Sequence, residues 1–210
     1  MIRAVIFDMD GVLLDNMPLH VKAWIDYCED QGLNLPEEDI LHNCIGRKTE
    51  DFIEDVLGIT DPNEQDRLKS EKNRIYFSLA KGTIKPLPGL VPFLALLKEQ
   101  GIKIVLGSAG AKEIVDFNLK ELGIAGYFDH LVWSEMVSKG KPDPEVYLLA
   151  ADLAGADPED CVVFEDAKAG VEAATAAGMR CIGVATSYSD LDGVMKLVDD
   201  FTGVSLSDLD

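Results

Sequence analysis

Short apolar segments that alternate with helical patterns place the strongest constraint on how this chain can fold. Each apolar segment is typical of a strand that is buried on both faces. The segments are Ala4–Phe7, Ile102–Leu106, Leu131–Trp133, Cys161–Phe164 and Cys181–Ala185. The sequence between them has helical spacing with glycine as the stop signal, as in Val115–Leu122 before Gly123. Alternating strands and helices predict an α/β fold, a Rossmann-like open parallel sheet with helices on both faces.

Residues 16–80 interrupt this alternation. They carry charged sequence with helical periodicity, in a first helix after the opening strand and then in Thr49–Leu57 and Asn63–Ala80. The alternating pattern resumes after the proline- and glycine-rich Lys85–Gly89. We predict a core of residues 1–15 and 81–210, with a helical cap domain of residues 16–80 inserted after the first strand. The alternative is that these helices extend the core. The acidic tail from residue 187 is poorly periodic, and we make no structural prediction for it.

The composition limits the partners of the chain. Its 210 residues include 38 acidic and 19 basic ones, which gives a net charge of −19. Such a surface repels nucleic acid and anionic membranes, so we expect neither as a partner. No segment approaches the roughly 20 apolar residues of a membrane span, and the stretch before Asp8 is too short for a signal peptide. The four cysteines are scattered with no CxxC pair, so we expect a reduced, cytoplasmic protein.

Two aspartates follow the first predicted strand. Asp8 and Asp10 are two residues apart, so an extended backbone aims both carboxylates the same way. Ligands of open α/β sheets bind at this carboxyl end of the strands. Two such carboxylates repel each other unless a cation lies between them or one carries a proton. A hard cation such as Mg²⁺ and a protonated general acid are therefore both candidates. The alternative is an ordinary aspartate-rich turn.

A second acidic pair, Glu165 and Asp166, follows the predicted strand Cys161–Phe164. If this strand neighbours the first one, the acidic side chains converge and suit Mg²⁺. Because an aspartate before a helix also satisfies free N–H groups, the alternative for Asp166 is a helix N-cap.

An acidic site needs positive or hydrogen-bonding groups if its substrate is an anion. Ser108 follows another strand in the glycine-rich turn Gly107–Gly110, where hydroxyl and backbone N–H groups can bind phosphate oxygens. Lys141 precedes a helix marked by two prolines and would supply the positive charge. The alternatives are an N-cap serine and a solvated surface lysine.

The order of these motifs is more specific than any one of them. Together they closely resemble the four motifs of the haloacid dehalogenase superfamily, namely Phe7–Val12, Ser108, Lys141–Pro142 and Phe164–Asp166. More narrowly, the chain resembles the β-phosphoglucomutase-like branch of phosphosugar phosphatases and mutases, whose helical cap follows the first motif. The resemblance covers the chain as far as about Thr186.

The resemblance implies phosphoryl transfer. Asp8 would be the nucleophile that forms an aspartyl-phosphate. Asp10 would protonate the leaving oxygen and then accept a proton from the incoming water or hydroxyl group. Ser108 and Lys141 would hold the transferring phosphoryl group. Dehalogenation itself is not expected, because the dehalogenases of this superfamily lack the second aspartate and the metal.

The resemblance also implies a Mg²⁺ cofactor. Its ligands would be the carboxylate of Asp8, the backbone carbonyl of Asp10 and the carboxylate of Asp166. Glu165 would be a further ligand or a support. Nine further residues would bind substrate, namely His20, Trp24, Gly46, Arg47, Lys48, Thr49 and Lys72 in the cap, and Ala109 and Lys112 in the core. For His20 and Trp24 the alternative is a helix that packs Trp24 and leaves His20 as a partner for an aspartate or the backbone. For Lys72 it is a solvated lysine.

The remaining choice is between a phosphatase and a mutase. A mutase binds a bisphosphate and needs a second anion pocket, which in mutases uses a Ser-Lys-Asn run after the second motif. This chain has Gly110-Ala111-Lys112 there, and Thr49 stands where the mutases carry an arginine. These departures favour a phosphatase of a small phosphorylated metabolite, such as a sugar phosphate, over a mutase. The resemblance to this branch also implies a monomer. A third possibility, a catalytically silent binding protein, is disfavoured by the intact nucleophile and acid.

Overall fold

The computed structural model describes residues 2–33, 35–36, 38–40 and 49–210. Six strands in this part of the chain form one parallel sheet in the order β3-β2-β1-β4-β5-β6. The strands are β1 (Ala4–Phe7), β2 (Lys103–Gly107), β3 (His130–Val132), β4 (Cys161–Glu165), β5 (Arg180–Val184) and β6 (Lys196–Val198). The predicted α/β fold with an open parallel sheet is confirmed.

The strand β1 lies at the centre of the sheet and positions the site. Phe7, its last residue, pairs with Leu106 of β2 on one side and with Phe164 of β4 on the other. The strand order changes direction between β1 and β4, and in open α/β sheets ligands bind outside the strand ends at such a switch point. The two acidic pairs therefore follow neighbouring strands, as the predicted site requires.

Helices cover both faces of the sheet, and others form a group of their own. They include α1 (Met17–Asp30), α2 (Thr49–Leu57), α3 (Pro62–Ala80), α4 (Leu90–Glu99), α5 (Lys112–Leu122), α6 (Glu145–Ala154) and α7 (Lys168–Ala176). The sheet is covered by α4 to α7. Val5 and Phe7 of β1 belong to an apolar cluster with α4 and α5. Ala4 and Ile6 belong to a second cluster with α6 and α7. Alternate residues of β1 thus face opposite layers, which is why the strand is apolar throughout.

The helices α1, α2 and α3 share a third apolar cluster that is separate from the two at the sheet. Trp24 of α1 packs on Phe52 of α2 with ring centroids 4.3 Å apart, and Leu68 of α3 completes the contact. A helical unit with its own core favours the division into a cap and a sheet domain, whose boundaries stay a prediction.

The acidic tail holds structure that we did not predict. It supplies the edge strand β6 and a buried phenylalanine, Phe201, whose ring lies 5.9, 5.7 and 5.1 Å from the rings of Phe7, Phe93 and Phe164. Lys196 and Leu197 in β6 are exposed. A three-residue strand without an apolar pattern and one isolated aromatic give too weak a periodicity to detect.

Within the described residues, no helix combines the length and apolarity needed to cross a membrane.

Cys28, Cys161 and Cys181 are buried free thiols. Burial raises the pKa of the Cys161 thiol to about 11 and also raises that of Cys181. Burial therefore disfavours the thiolate, which is the reactive form, in both cysteines.

Candidate active site

The site begins where β1 ends. The backbone N–H of Asp8 donates to the carbonyl of Phe164 at 3.0 Å, so the pairing of β1 with β4 continues by one residue. Gly11 then turns the chain with a φ of 78°, in the left-handed region that favours glycine. A Cβ at Gly11 would lie only 1.9 Å from Oδ2 of Asp166. Glycine therefore permits both the turn and the close approach to Asp166.

Lys141 is buried between two carboxylates. Its side chain is 1% exposed, and its Nζ donates to Oδ1 of Asp8 at 2.7 Å and to Oε1 of Glu165 at 2.6 Å. Burial raises the pKa of Asp8 to about 7, although the ammonium of Lys141 opposes this rise. Burial alone would lower the pKa of Lys141, but the two carboxylates raise it above its usual value. The solvated-lysine alternative is wrong.

Glu165 is completely buried and receives four hydrogen bonds. Its Oε1 accepts from Lys141 and, at 2.8 Å, from the hydroxyl of Tyr147. Its Oε2 accepts from the backbone N–H groups of Asp166 and Ala167, both at 2.8 Å. A carboxylate with every lone-pair site in use is fixed in orientation. Glu165 thus holds Lys141 in place.

Asp166 completes an acidic cluster. Its Oδ2 accepts from the hydroxyl of Ser187 and lies 3.5 Å from Oγ1 of Thr186. It does not cap the helix, because α7 begins at Lys168 after an Ala167 cap, so the N-cap alternative is wrong. Burial and the neighbouring carboxylates raise the pKa of Asp166 well above its usual value.

The acidic cluster fits a hard divalent cation. One carboxylate oxygen each from Asp8, Glu165 and Asp166 lies within 4.8 Å of the others, and all three residues are buried. Oxygen donors in such an arrangement are the ligands that Mg²⁺ prefers. Among the described residues, the cluster does not include the carboxylate of Asp10.

The carboxylate of Asp10 instead faces α1. Its Oδ1 lies 2.6 Å from Nδ2 of Asn16 and 3.5 Å from Nε2 of His20. On the other side of the His20 ring, Nδ1 lies 2.9 Å from Nζ of Lys72. Since an ammonium only donates, Nδ1 accepts, and the proton of the neutral imidazole is on Nε2, facing Asp10.

Electrostatics support this protonation pattern. Burial and the charge of Lys72 lower the pKa of His20, which favours the neutral ring. Burial alone would raise the pKa of Asp10, but His20 and the Asn16 amide hold it below its usual value. The structure therefore brings together two predicted cap residues, His20 and Lys72, with the predicted acid.

Ser108 lies at the carboxyl end of β2, beside β1. Its side chain is buried, its N–H donates to the carbonyl of Val132 at 3.0 Å, and its Oγ accepts from the N–H of Gly110 at 2.9 Å. The helix α5 begins later, at Lys112, after an Ala111 cap, so the N-cap alternative for Ser108 is wrong. Ala109 follows Ser108 and is half-buried.

Lys112 is tied to other groups. Its Nζ lies 2.6 Å from Oδ2 of Asp116 and 5.1 Å above the ring of Trp133. Its backbone N–H donates to Oε2 of Glu135 at 3.1 Å. The ammonium and the backbone N–H of Lys112 are therefore both paired with carboxylates.

The predicted cap residues differ in their surroundings. Trp24 is buried in the apolar cluster of the cap helices. Nζ of Lys72 lies 5.8 Å from the centroid of its ring, so Trp24 makes a cation–π contact with Lys72. Thr49 is the half-buried first residue of α2. Gly46, Arg47 and Lys48 lie outside the described residues, and their predicted role stays untested.

Several polar residues in and around the site were not predicted from the sequence. They bind the predicted residues or one another, and they are Asn16, Tyr76, Asn118, Tyr147, Thr186 and Ser187. Tyr147 had a usable signal, because it lies in the first turn of the helix that follows Lys141. The others come from distant parts of the chain and become neighbours only through the fold.

Comparison with known proteins adds to this geometry. A family model of haloacid dehalogenase-like hydrolases matches residues 2–178. The chain belongs to this family. A phosphorylated carbohydrates phosphatase from Thermotoga maritima is 38% identical over 194 residues, covering 90% of this chain and 88% of that protein. A β-phosphoglucomutase from Bacillus subtilis is 35% identical over 213 residues, covering 95% of this chain and 92% of that protein.

Structural comparison shows the same fold in a solved protein. The crystal structure of CbbY from Rhodobacter sphaeroides in complex with phosphate matches with a TM-score of 0.88 and 26% identity, covering 100% of this chain and 99% of that one. The resemblance inferred from the four motifs is therefore confirmed at the level of family and fold.

Proposed function

We propose that this haloacid dehalogenase-like hydrolase is a Mg²⁺-dependent phosphatase of small phosphomonoesters, in particular sugar phosphates. The observation that carries the proposal is the buried Lys141 between Asp8 and Glu165, beside a cluster of carboxylates that fits a divalent cation. The names of the relatives support a phosphorylated carbohydrate as the substrate class.

Asp8 is the proposed nucleophile. Lys141 binds one oxygen of its carboxylate, which fixes the direction of the other. That oxygen attacks phosphorus, and the bond from phosphorus to the ester oxygen breaks. Asp10, whose pKa is held below its usual value in the free protein, takes up a proton when the like-charged phosphate ester binds beside it and gives this proton to the departing alkoxide. Water then attacks the phosphorus of the aspartyl-phosphate while Asp10 accepts its proton. Inorganic phosphate leaves, and the Asp8 carboxylate is restored.

Mg²⁺ would be held by the carboxylates of Asp8 and Asp166 together with the backbone carbonyl of Asp10. When bound, the ion neutralises charge on the phosphoryl oxygens and between the carboxylates. The glycine at position 11 makes room for Asp166 at this position. We assign Glu165 to the support of Lys141, because its two oxygens already accept four hydrogen bonds.

Ser108 and Lys141 are proposed to hold the transferring phosphoryl group. Ser108 Oγ accepts from Gly110, so its own proton is directed to another acceptor, such as a phosphoryl oxygen. Lys141 supplies a buried positive charge where negative charge spreads over the phosphoryl oxygens, and such preorganised charge stabilises the transition state.

Hydrolysis is favoured over the mutase alternative by the surroundings of Lys112. A mutase must bind a second phosphate, and the ammonium and N–H of Lys112 are already engaged by Asp116 and Glu135. A β-phosphoglucomutase-type reaction remains the alternative, since the relative from Bacillus subtilis carries that name.

The deciding experiment follows all phosphorus species by NMR. The protein is incubated with Mg²⁺, β-glucose 1-phosphate and a trace of glucose 1,6-bisphosphate. Free phosphate without glucose 6-phosphate would support the phosphatase. Glucose 6-phosphate without free phosphate would establish the mutase. If free phosphate is absent here, a panel of sugar phosphates follows, and no turnover of any of them would contradict both proposals.

The first prediction concerns the nucleophile and the metal. Asp8→Asn should abolish phosphate release, because an amide cannot form the aspartyl-phosphate, and EDTA should abolish the activity of the unmodified protein until Mg²⁺ is restored. Asp152→Asn, an exposed position on α6, is the matched control and should retain full activity. Full activity of Asp8→Asn would overturn the assignment.

A further inference from the structure

A buried chain of polar side chains links the cap helix α3 and the core helix α5 to the turn that carries Asp10. Nδ2 of Asn16 lies 2.6 Å from Oδ1 of Asp10 and 2.8 Å from the hydroxyl of Tyr76. That hydroxyl donates to Oδ1 of Asn118 at 2.9 Å. Nδ2 of Asn118 lies 3.3 Å from Sδ of Met9. This chain of polar contacts therefore starts at Asp10 and returns to Met9, the neighbour of Asp10 in the sequence.

The direction of each hydrogen bond follows from the chemistry of the groups. The amide of Asn16 has two hydrogens, and the acceptors within reach are the carboxylate of Asp10 and the oxygen of Tyr76. Nε2 of His20 lies 3.2 Å away, but it carries a proton and does not compete as an acceptor. The hydroxyl proton of Tyr76 is then directed to Asn118, as its 2.9 Å contact shows.

Tyr76 contacts both groups that face the acid. Besides its bond to Asn16, its ring stacks on the imidazole of His20 with centroids 4.1 Å apart and planes 15° apart. Asn16, Tyr76 and Asn118 are each 0% exposed, so bulk water does not replace their partners. Removal of one buried partner leaves the others unsatisfied, and the array loses its fixed geometry.

We propose that Tyr76 and Asn118 are positioning residues for proton transfer by Asp10. They act through Asn16 and His20, which hold the Asp10 carboxyl group towards the leaving oxygen. This inference rests on the proposed phosphatase function. It adds two residues outside the four motifs, one in the cap and one in the core, to the machinery of the leaving-group step.

The proposal predicts an effect that depends on the leaving group. A sugar alkoxide is a poor leaving group and needs a proton as the bond to phosphorus breaks. The 2,4-dinitrophenolate ion leaves without one. The ratio kcat/KM covers only the steps up to the first irreversible one, here phosphorylation of Asp8, so it isolates this proton transfer from the later hydrolysis.

The experiment compares Tyr76→Phe and Asn118→Leu with the unmodified protein, at saturating Mg²⁺. The substrates are 2,4-dinitrophenyl phosphate and the sugar phosphate that the unmodified protein hydrolyses fastest. We expect kcat/KM for the sugar phosphate to fall by about tenfold or more, as general acid catalysis contributes at least 100-fold in typical cases. For the dinitrophenyl ester we expect less than about a threefold change, because no proton is needed.

The controls separate positioning from folding. Tyr27→Phe removes the hydroxyl of another buried cap tyrosine, which packs edge-on against Trp24, and should leave both rates unchanged. The double variant Tyr76→Phe/Asn118→Leu should lose no more than the larger single loss, because the two residues act along one chain. Thermal unfolding identifies any variant that fails to fold. If one of the two single variants does not fold, the other one tests the proposal.

Two other outcomes would overturn the inference. Equal losses with both esters would indicate a purely structural role, and unchanged kcat/KM for the sugar phosphate would show that the chain is not needed. In either case the proposed phosphatase function would stand. Hydrolysis of neither ester by the unmodified protein would instead overturn the proposed function and this inference with it.

Discussion

Gly170 lies in the first turn of α7, where a Cβ would be only 1.7 Å from Oε1 of Glu165. In a helix, glycine normally costs about 0.5–1 kcal/mol relative to alanine. Here the missing side chain gives space to the carboxylate that holds Lys141. The backbone of α7 thus contributes to the site without a side chain of its own.

Gly170→Ala should therefore destabilise the protein although alanine is the better helix former. Forcing an extra methyl group into a filled space typically costs about 1–3 kcal/mol, and displacement of Glu165 should also lower phosphatase activity. Urea unfolding measures the free energy of unfolding. Gly126→Ala is the control, because a Cβ there meets nothing within 4 Å. A Gly170→Ala variant as stable and active as the unmodified protein would contradict this view of the site.

The sequence predicts which residues converge at the site better than it predicts what each of them binds. Asp8, Asp166 and Ser108 follow strands whose ends meet at one edge, so their proximity follows from the pattern. The place of Lys141 came from the resemblance of the four motifs. The role of Glu165 depends on the backbone N–H groups after β4. Asn16 occupies the N-cap position of α1 without making a side-chain cap bond, and its amide nitrogen lies beside Asp10. Which partner each of these side chains binds can be seen only in the three-dimensional structure.

At the scale of helices and strands, the strong apolar periodicity of the sequence was sufficient to predict most of the sheet. β1 has the predicted bounds, and the predicted Thr49–Leu57 segment is α2. The exception is the tail, where β6 pairs with β5 at the edge and Phe201 reaches the central aromatic cluster. A single buried side chain in a polar stretch stabilises the fold without leaving a pattern in the sequence.

Phe201→Ala should be strongly destabilising because its ring is 2% exposed and contacts three other phenylalanine rings. Truncation of a buried phenylalanine costs about 3–5 kcal/mol, to be measured as the free energy of unfolding in urea. Leu197→Ala, in β6 with 37% exposure, should change stability far less. Equal effects of the two substitutions would show that the tail is not anchored by Phe201.

The whole molecule places two buried lysines and a cluster of carboxylates in a strongly anionic body. The net charge of −19 underlies the predicted absence of nucleic-acid and membrane partners. It also opposes the approach of a doubly negative sugar phosphate. Lys141 and Lys72 act on a bound substrate at close range. The remaining charge acts on the substrate over longer distances, where dissolved salt screens it.

Added salt should therefore lower KM for a sugar phosphate. Raising NaCl from about 0.01 M to about 0.15 M shortens the screening length from about 30 Å to about 8 Å, which weakens the long-range repulsion more than the buried contacts. The experiment holds Mg²⁺ saturating at each salt concentration and measures KM and kcat separately. We expect KM to fall while kcat stays constant, because the buried groups that perform the chemistry are screened much less. A rise of KM with salt would show that the local cations, rather than the net charge, govern the encounter with substrate.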